Sequence, residues 1–443
     1  MKNILDLAGI GVGPFNLSLA ALMAPLSEVS ACFYERRPSF DWHPGMMLPG
    51  TQMQTSFLKD LVTPVDPTSP YSFLAYLVGK GRFYRFVNAD FPRAKRAEFA
   101  AYMRWVSEQV PNLVFRKNVE EISFDEEGFL LSFGEGGAQR SRHIAVAIGH
   151  RPHVPAWARS HLHRHCLHSH SYETSTLSVE NRRVAIIGGG QSGAEIFLDL
   201  MGGARGRPAD VVWVTRRPCL DPLDETAFTN EYFTPDYVRH FHRLPEQHRH
   251  TLATAQKLTG DGVSPATLQA LSQYLYELDF LGGSGGAVPY RIMTHREVRG
   301  MARERTGFRL DMANVFDESP EAIGADIVIL ATGYRYAWPE CLAPLSAHIE
   351  RDGQGFPVLS EDYVARWDGP PSHRIYMLNA GRNSHGVADA QLSLTAWRSA
   401  VIINSLVGRA AYAVDPQPSP VHWSGNRPDS QAGVPEPRLQ VWQ

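Results

Sequence analysis

The stretch Gly11-Val12-Gly13-Pro14-Phe15-Asn16-Leu17-Ser18 lies between the apolar run "ILDLAGI" (4–10) and a second apolar run, Leu17–Leu26. A dinucleotide-binding finger needs a strand, a tight glycine turn, and a helix whose N-terminus faces a pyrophosphate. Residues 4–10 supply the strand and 17–26 the helix. Gly11 makes the turn and Gly13 lets the backbone approach phosphate. The third glycine, which normally permits close helix–strand packing, is replaced by Asn16, so helix and strand must approach each other differently here. An acid should follow about twenty residues on to bind a ribose hydroxyl, and "ACFYERR" places Glu35 there.

A second finger is cleaner. "RRVAIIGGGQSGAE" runs from an apolar strand, Val184–Ile187, into Gly188, Gly190 and Gly193, and then into a helix. Its second strand, "ADVVWVTRR", ends in Thr215-Arg216-Arg217 with no acid for a 2′-hydroxyl. Arginine at that point suits a 2′-phosphate. The pair reads as an adenine dinucleotide with a free ribose in the first finger and NADP(H) in the second. "RHIAVAIGHRPHVP" (142–155) and "ADIVILATGY" (325–334) are each an apolar strand followed by a glycine turn, placed where a chain crosses between two nucleotide domains. FAD in the first finger and NADPH in the second follow. The fold class is α/β, with two Rossmann-like dinucleotide-binding domains and a small helical substrate insertion.

Bulk properties agree. A chain of 443 residues exceeds one compact core. With 43% hydrophobic and 20% charged residues and a formal charge of -3, nothing draws it to nucleic acid or an anionic membrane. Cys32, Cys166, Cys219 and Cys341 form no CxxC pair, which suits a reducing cytoplasm and argues against a disulfide framework or a dithiol reductase. Leu17–Leu26 falls short of the about 20 residues that span a bilayer and lacks the flanks of a signal peptide.

Along the chain, the FAD domain is expected at 1–175 with a return at 331–408, and the NADPH domain at 176–330. Within the latter, 220–285 shows helical spacing in "YVRHFHRLPEQHRHTLATAQKL" and "PATLQALSQYLYELDFL". "LGGSGGAVPY" marks a flexible return loop. The tail, 409–443, is proline-rich and expected to lack regular structure. "HLHRHCLHSH" (161–170) places His161, His163 and His165 in alternation near Cys166. Convergence of three or four ligands is what a metal needs, and without it the segment reads as a polar strand leading into the second finger, with no metal.

"GVGPFNLSLA", "WHPGMMLPGTQMQTSFLKDLVTPVDPTSPYSFLAYL", "FTNEYFTP", "ATGY" and "HGVADAQLSLTAWRSA" resemble the microbial flavin-dependent N-hydroxylating monooxygenases, which make hydroxamate precursors of siderophores from lysine, ornithine or diamines. The resemblance covers about residues 1–408. In that family Gly-x-Gly-Pro-x-Asn is the usual FAD finger, so Pro14 and Asn16 mark a specialised finger. The resemblance further implies Trp42, His43, Gln54 and Arg104 around the flavin, and Gln191, Ser192 and Arg216 on NADPH. It implies Lys59 and Asn230 on the substrate, and Ser393 in a segment closing over flavin and substrate. Taken alone, Lys59 in "FLKDL" reads as a solvated lysine and Asn230 as a helix cap.

The chemistry implied is flavin-centred: NADPH reduces the flavin, O2 forms a C4a-hydroperoxide, and the neutral amine attacks its distal oxygen. No protein nucleophile is needed, in keeping with the lack of a Ser-His-Asp or Cys-His signature. A Baeyer–Villiger monooxygenase would carry an Fx-G-xxx-His-xxx-Trp run that "HRHCLHSHSY" lacks. A non-catalytic NADPH- or flavin-binding protein stays open as a different class. Among substrates, "TGDGVSPATL" has Asp261-Gly262 where ornithine enzymes carry an Asn-Tyr pair. Asn230 resembles the diamine enzymes, so a diamine such as cadaverine or putrescine is expected first, with lysine next and ornithine last. Oligomeric state is not legible in the sequence, although homo-dimers and homo-tetramers are common in the resembling family.

Overall fold

The computed structural model describes residues 4–281, 288–415 and 419–424. The first strand is Leu5–Ile10, and the first helix, Pro14–Met23, starts with Gly13 as its N-cap. Phe15 through Met23 are all buried, so the short apolar run is a core helix. It ends three residues before Leu26 because Pro25 has no N–H to continue the hydrogen-bond ladder.

Leu5–Ile10 pairs in parallel with Ala31–Tyr34 on one side and Ala138–Val146 on the other. Leu113–Val114 extends one edge, and the antiparallel strands Gly128–Phe133 and Val119–Asp125 extend the other. Ile375–Met377 returns from far along the chain to pair in parallel with Ala138–Val146. A second, all-parallel sheet has the order Tyr290–Met293, Asp210–Val214, Arg183–Ile187, Ile327–Leu330, Cys166–His168. These are two Rossmann-like domains. The second sheet takes up Cys166–His168, so the chain crosses somewhat before residue 175. The two crossing segments lie together, with Arg151–Pro152 antiparallel to Tyr334–Arg335.

Sequence periodicity missed one layer. Arg296–Arg303, Phe308–Asn314 and Pro320–Ala325 form an antiparallel sheet. Its Phe308, Leu310 and Met312 share a buried cluster with Ala185, Val212 and Val328 of the second parallel sheet. These strands mix charged and apolar residues without a sustained alternation, and among the described residues they pair only with one another, so the pattern carries little strand signal before the fold is known.

The insertion is helical, as expected: Pro235–His242, Glu246–Ala255 and Pro265–Tyr276. Thr234 and Ser264 cap the first and last of these, accepting from the amides of Tyr237 and Thr267, each just ahead of a proline at the first helical position. The glycine-rich part of "LGGSGGAVPY", 282–287, lies outside the described residues. The histidine run is not one strand. His161 ends the 3-10 turn Ala156–His161, His163 and Cys166 close a tight turn, and only Cys166–His168 is extended in a sheet. Among the described residues after Arg409 no helix or strand forms, yet this segment is anchored: the Val414 carbonyl accepts from Arg239 at 2.8 Å, and Trp423 packs on Tyr237. Among the described residues no helix is long and apolar enough to cross a membrane.

Candidate active site

A cleft of about 1620 Å³ runs between the two fingers, with Gly11, Gly13, Glu35, Gly188, Gly190 and Arg216 in its walls. One small ligand occupies about 300–1,000 Å³, so this space suits two large ones.

The first finger is built by its own side chains. Gly11 has φ +83°, and a Cβ there would come within 2.9 Å of the Ala147 carbonyl. The buried Asn16 donates its amide to the carbonyls of Gly11 at 2.8 Å, Ala145 at 3.2 Å and Ile10 at 3.3 Å. Asn16 therefore works inward, stitching the turn to two strands. Glu35 receives the Val12 amide at one carboxylate oxygen and the Arg37 amide at the other, both at 2.9 Å. In the second finger, a Cβ on Gly193 would sit 2.3 Å from the Gly188 carbonyl. That carbonyl instead accepts from the Trp213 indole at 2.7 Å.

The middle glycines test whether phosphates belong here. A Cβ on Gly190 would meet nothing within 4 Å, and one on Gly13 only the Ala147 oxygen at 3.9 Å. Neither has positive φ. The protein itself does not require glycine at these points; the space is kept for something in the cleft, at the N-terminus of each finger helix.

Trp42, His43 and Gln54 line the cleft. His43 holds a left-handed backbone, φ 48° and ψ 45°, a conformation that costs a non-glycine residue about 1–2 kcal/mol. Its ring meets Trp42 and Tyr334 edge-on, with centroids 5.1 and 5.8 Å away. Solvent reaches it through the cleft, but desolvation by the surrounding wall, then the charges of Arg96, His170 and Arg37, push its pKa down to about 4. At neutral pH it is uncharged.

Arg104, which the resemblance implies around the flavin, lies on the helix Arg96–Gln109. It is exposed and stands 3.8 Å from the Asp41 carboxylate, outside the cleft lining. Arg96, eight residues earlier on the same helix, lines the cleft instead. Its position was a signal: a cation in the first turn opposes the helix dipole, so it needs another reason to be there.

On the second finger, Gln191, Ser192 and Arg216 line the cleft. Arg216 is exposed there and makes no ion pair among the described residues, whereas Arg217 is held by Asp261 at 3.0 Å and Asp221 at 3.5 Å. Asp261 also pairs with Lys257 at 3.1 Å, so Asp261-Gly262 belongs to the nucleotide-side wall.

Lys59, Asn230 and Ser393 are not part of the open cleft wall. Lys59 is half-buried; burial lowers its pKa, and the charge of nearby Glu231 works against that. Asn230 is exposed on the turn Thr229–Phe233. Ser393 is buried beside the cleft residues Gln391 and Leu392, its Oγ without a hydrogen-bond partner among the described residues. Among the described residues, the side chains that could converge on a metal are Glu246, His250 and Asp352, with ligand atoms within 4.8 Å of one another, none of them from the histidine run.

Residues 3–336 match the L-lysine 6-monooxygenase/L-ornithine 5-monooxygenase family. The chain belongs to that family. Its members are flavin-dependent N-hydroxylating monooxygenases using FAD and NADPH, and the two fingers fit that pair. The L-lysine N6-monooxygenase of Escherichia coli is 38% identical over 425 residues, covering 96% of this chain and 99% of that one. A cadaverine monooxygenase of desferrioxamine biosynthesis from Erwinia amylovora, solved with FAD, superposes with a TM-score of 0.88 at 28% identity, covering 96% and 100%. An ornithine N-hydroxylase from Kutzneria sp. 744, with reduced FAD, NADP+ and L-ornithine, gives 0.84 at 27% identity, covering 92% and 99%.

Proposed function

We propose that this family member N-hydroxylates one terminal amine of a short diamine, cadaverine or putrescine, on the way to a hydroxamate siderophore. The net reaction is R–NH2 + O2 + NADPH + H+ → R–NHOH + H2O + NADP+. Bound FAD, reduced by NADPH, supplies the activated oxygen. The chain's own residues do the rest. Gly13 and Gly190 leave room for the phosphates, and Arg216, free of any ion pair among the described residues, is the donor for the 2′-phosphate. Trp42, neutral His43 and Gln54 form the flavin-side wall.

The observation that carries the diamine reading is Glu231, the carboxylate next to Asn230 and close to Lys59. A diamine brings a second ammonium that needs acceptors. Glu231 is one, and the Asn230 side-chain carbonyl is another. The reacting amine starts near a pKa of about 10.4, and partial desolvation favours the neutral form that can attack oxygen. The likeness to the Erwinia cadaverine enzyme supports the same reading.

L-Lysine is the second reading. Lys59 can receive a carboxylate, and the Escherichia coli relative acts on lysine. A hydroxylamine-product assay with cadaverine, putrescine, lysine and ornithine under NADPH and O2 decides. A kcat/KM for lysine above that of both diamines refutes the diamine assignment and leaves the enzyme class standing.

A further inference from the structure

We propose that Glu195 is a positioning residue for hydride transfer: one buried carboxylate that fixes the NADPH-side finger against the flavin-side wall and the substrate insertion. The inference rests on the reading above only in placing both cofactors in the shared cleft; it does not depend on which amine is used.

Glu195 is 8% exposed and sits on the helix Gln191–Met201 that begins at the second finger. Arg96 grips it with both terminal nitrogens, Nη2 to Oε1 at 2.8 Å and Nη1 to Oε2 at 3.0 Å. The same Arg96 Nη1 donates to the Met46 carbonyl at 2.7 Å, three residues beyond His43. Gln191, one turn before Glu195, donates its amide to Oε1 at 2.9 Å and to Thr267 Oγ1 at 3.0 Å. The Gln191 side-chain oxygen accepts from the Ser264 amide at 2.8 Å. Three parts of the molecule thus meet at one carboxylate: the 42–46 wall through Arg96, the finger through its own helix, and the insertion helix Pro265–Tyr276 through Gln191.

A buried ion pair alone could be structural filler. What points to the reaction is where its partners face. Arg96 and Gln191 both line the cleft, while Glu195 does not. Glu195 therefore acts through them. Ionised, it neutralises Arg96 and holds it in bidentate geometry. Without that charge, the guanidinium is released beside His43, whose pKa it already depresses. Gln191 also loses an acceptor and is free to turn into the dinucleotide path. Hydride transfer requires two rings in contact, and a misplacement of about 1 Å costs on the order of a hundredfold in rate.

The test uses FAD-loaded full-length Glu195→Gln, which keeps the size but not the charge. Anaerobic flavin bleaching by saturating NADPH, with no amine present, gives the reduction rate. We expect it to fall roughly tenfold or more, with FAD content unchanged. Glu195→Asp, which retains the charge but is too short to reach both partners, should fall between the two. A purely structural role would lower the melting temperature of both variants and leave the reduction rate alone. A rate within twofold of the unmodified protein in a FAD-loaded Gln variant overturns the proposal. If the Gln variant does not hold FAD, the same result in Glu195→Asp overturns it. Failure of the unmodified protein to be reduced by NADPH would instead sink the enzyme reading, and a wrong choice of amine would leave this experiment untouched.

Discussion

Asn16 donates its side-chain amide to the carbonyl of Gly11 at 2.8 Å, so the residue that replaces the third glycine of the first finger holds the first one. In the second finger the matching Gly188 carbonyl takes its hydrogen bond from Trp213, and the third glycine is retained. The two fingers solve the same problem, a turn carbonyl left without a ladder partner at a buried crossing, with different donors. Asn16→Ala is expected to destabilise the protein by about 1–3 kcal/mol, the range for a buried acceptor left unpaired. A lower melting temperature and faster loss of FAD would report it. Asn16→Gly should be worse still, because glycine within a helix costs about 1 kcal/mol more than alanine. An Asn16→Gly variant that holds FAD more tightly than the unmodified chain would refute this account.

Arg216 is exposed to the cleft and makes no ion pair among the described residues, while Arg217 is occupied by two carboxylates. Arg216→Ala should therefore raise the KM for NADPH about tenfold to a hundredfold, the worth of a charge-assisted hydrogen bond of about 1.5–3 kcal/mol, and leave the KM for NADH nearly unchanged. Arg217→Ala should perturb the Asp261 side of the wall without abolishing the preference. Equal use of NADH and NADPH by the unmodified protein would contradict the assignment.

Both fingers were legible because glycine spacing, strand and helix are local in sequence. Arg96 was not, and Arg104 was expected in its stead. Both lie on the helix Arg96–Gln109, and which of two arginines turns inward depends on how that helix docks, with Phe99, Tyr102, Met103 and Val106 buried. That docking is set by partners far along the chain, Met46 and Glu195 among them. The histidine run shows the opposite error. Alternation suggested one strand face, but a turn closed between His163 and Cys166 breaks the period. The Glu231 carboxylate is not legible in the sequence, because a Glu in a polar loop carries no signal until the fold brings its charge within electrostatic range of Lys59.

Acid should weaken the fold through His143 and His168, both nearly fully buried and both pushed by burial to a pKa of about 4. His168 Nε2 donates to the Gly333 carbonyl at 3.0 Å while its Nδ1 accepts the His170 amide at 3.0 Å, which fixes the neutral tautomer. His143 Nδ1 likewise accepts the Arg374 amide. Above pH 6.5, neither folded nor unfolded chain protonates these rings, and they add no pH dependence. Between about 6.5 and 4 the unfolded chain takes up protons that the folded one refuses, so stability falls as pH falls. The ceiling is about 3 kcal/mol for each ring. Urea unfolding at pH 7.5 and pH 5.0 measures it, and equal stability at the two values would contradict the assignment.

The C-terminal segment bears on the turn Thr229–Phe233, which we propose as part of the substrate element. Ser419 Oγ donates to Glu231 Oε2 at 2.7 Å, and the Trp423 ring lies 4.7 Å from Tyr237 and 5.7 Å from Tyr232. Val414 tethers the same segment to Arg239 of the insertion and to Trp397 of the FAD-domain helix. The turn Thr229–Phe233, which carries Asn230, is thus held from outside by a strap that begins in the other domain. Removing residues 416–443 should loosen that turn without disturbing either finger. Loss of the aromatic contact alone is worth about 0.5–1.5 kcal/mol, so the KM for the amine should rise roughly threefold to tenfold. The rate of flavin reduction by NADPH should stay the same. Trp423→Ala should show a smaller rise in the same direction. If the truncated protein binds its amine as well as the full chain, the strap does not set the geometry of the substrate element. If flavin reduction slows as well, the segment acts on the whole molecule and not on that turn.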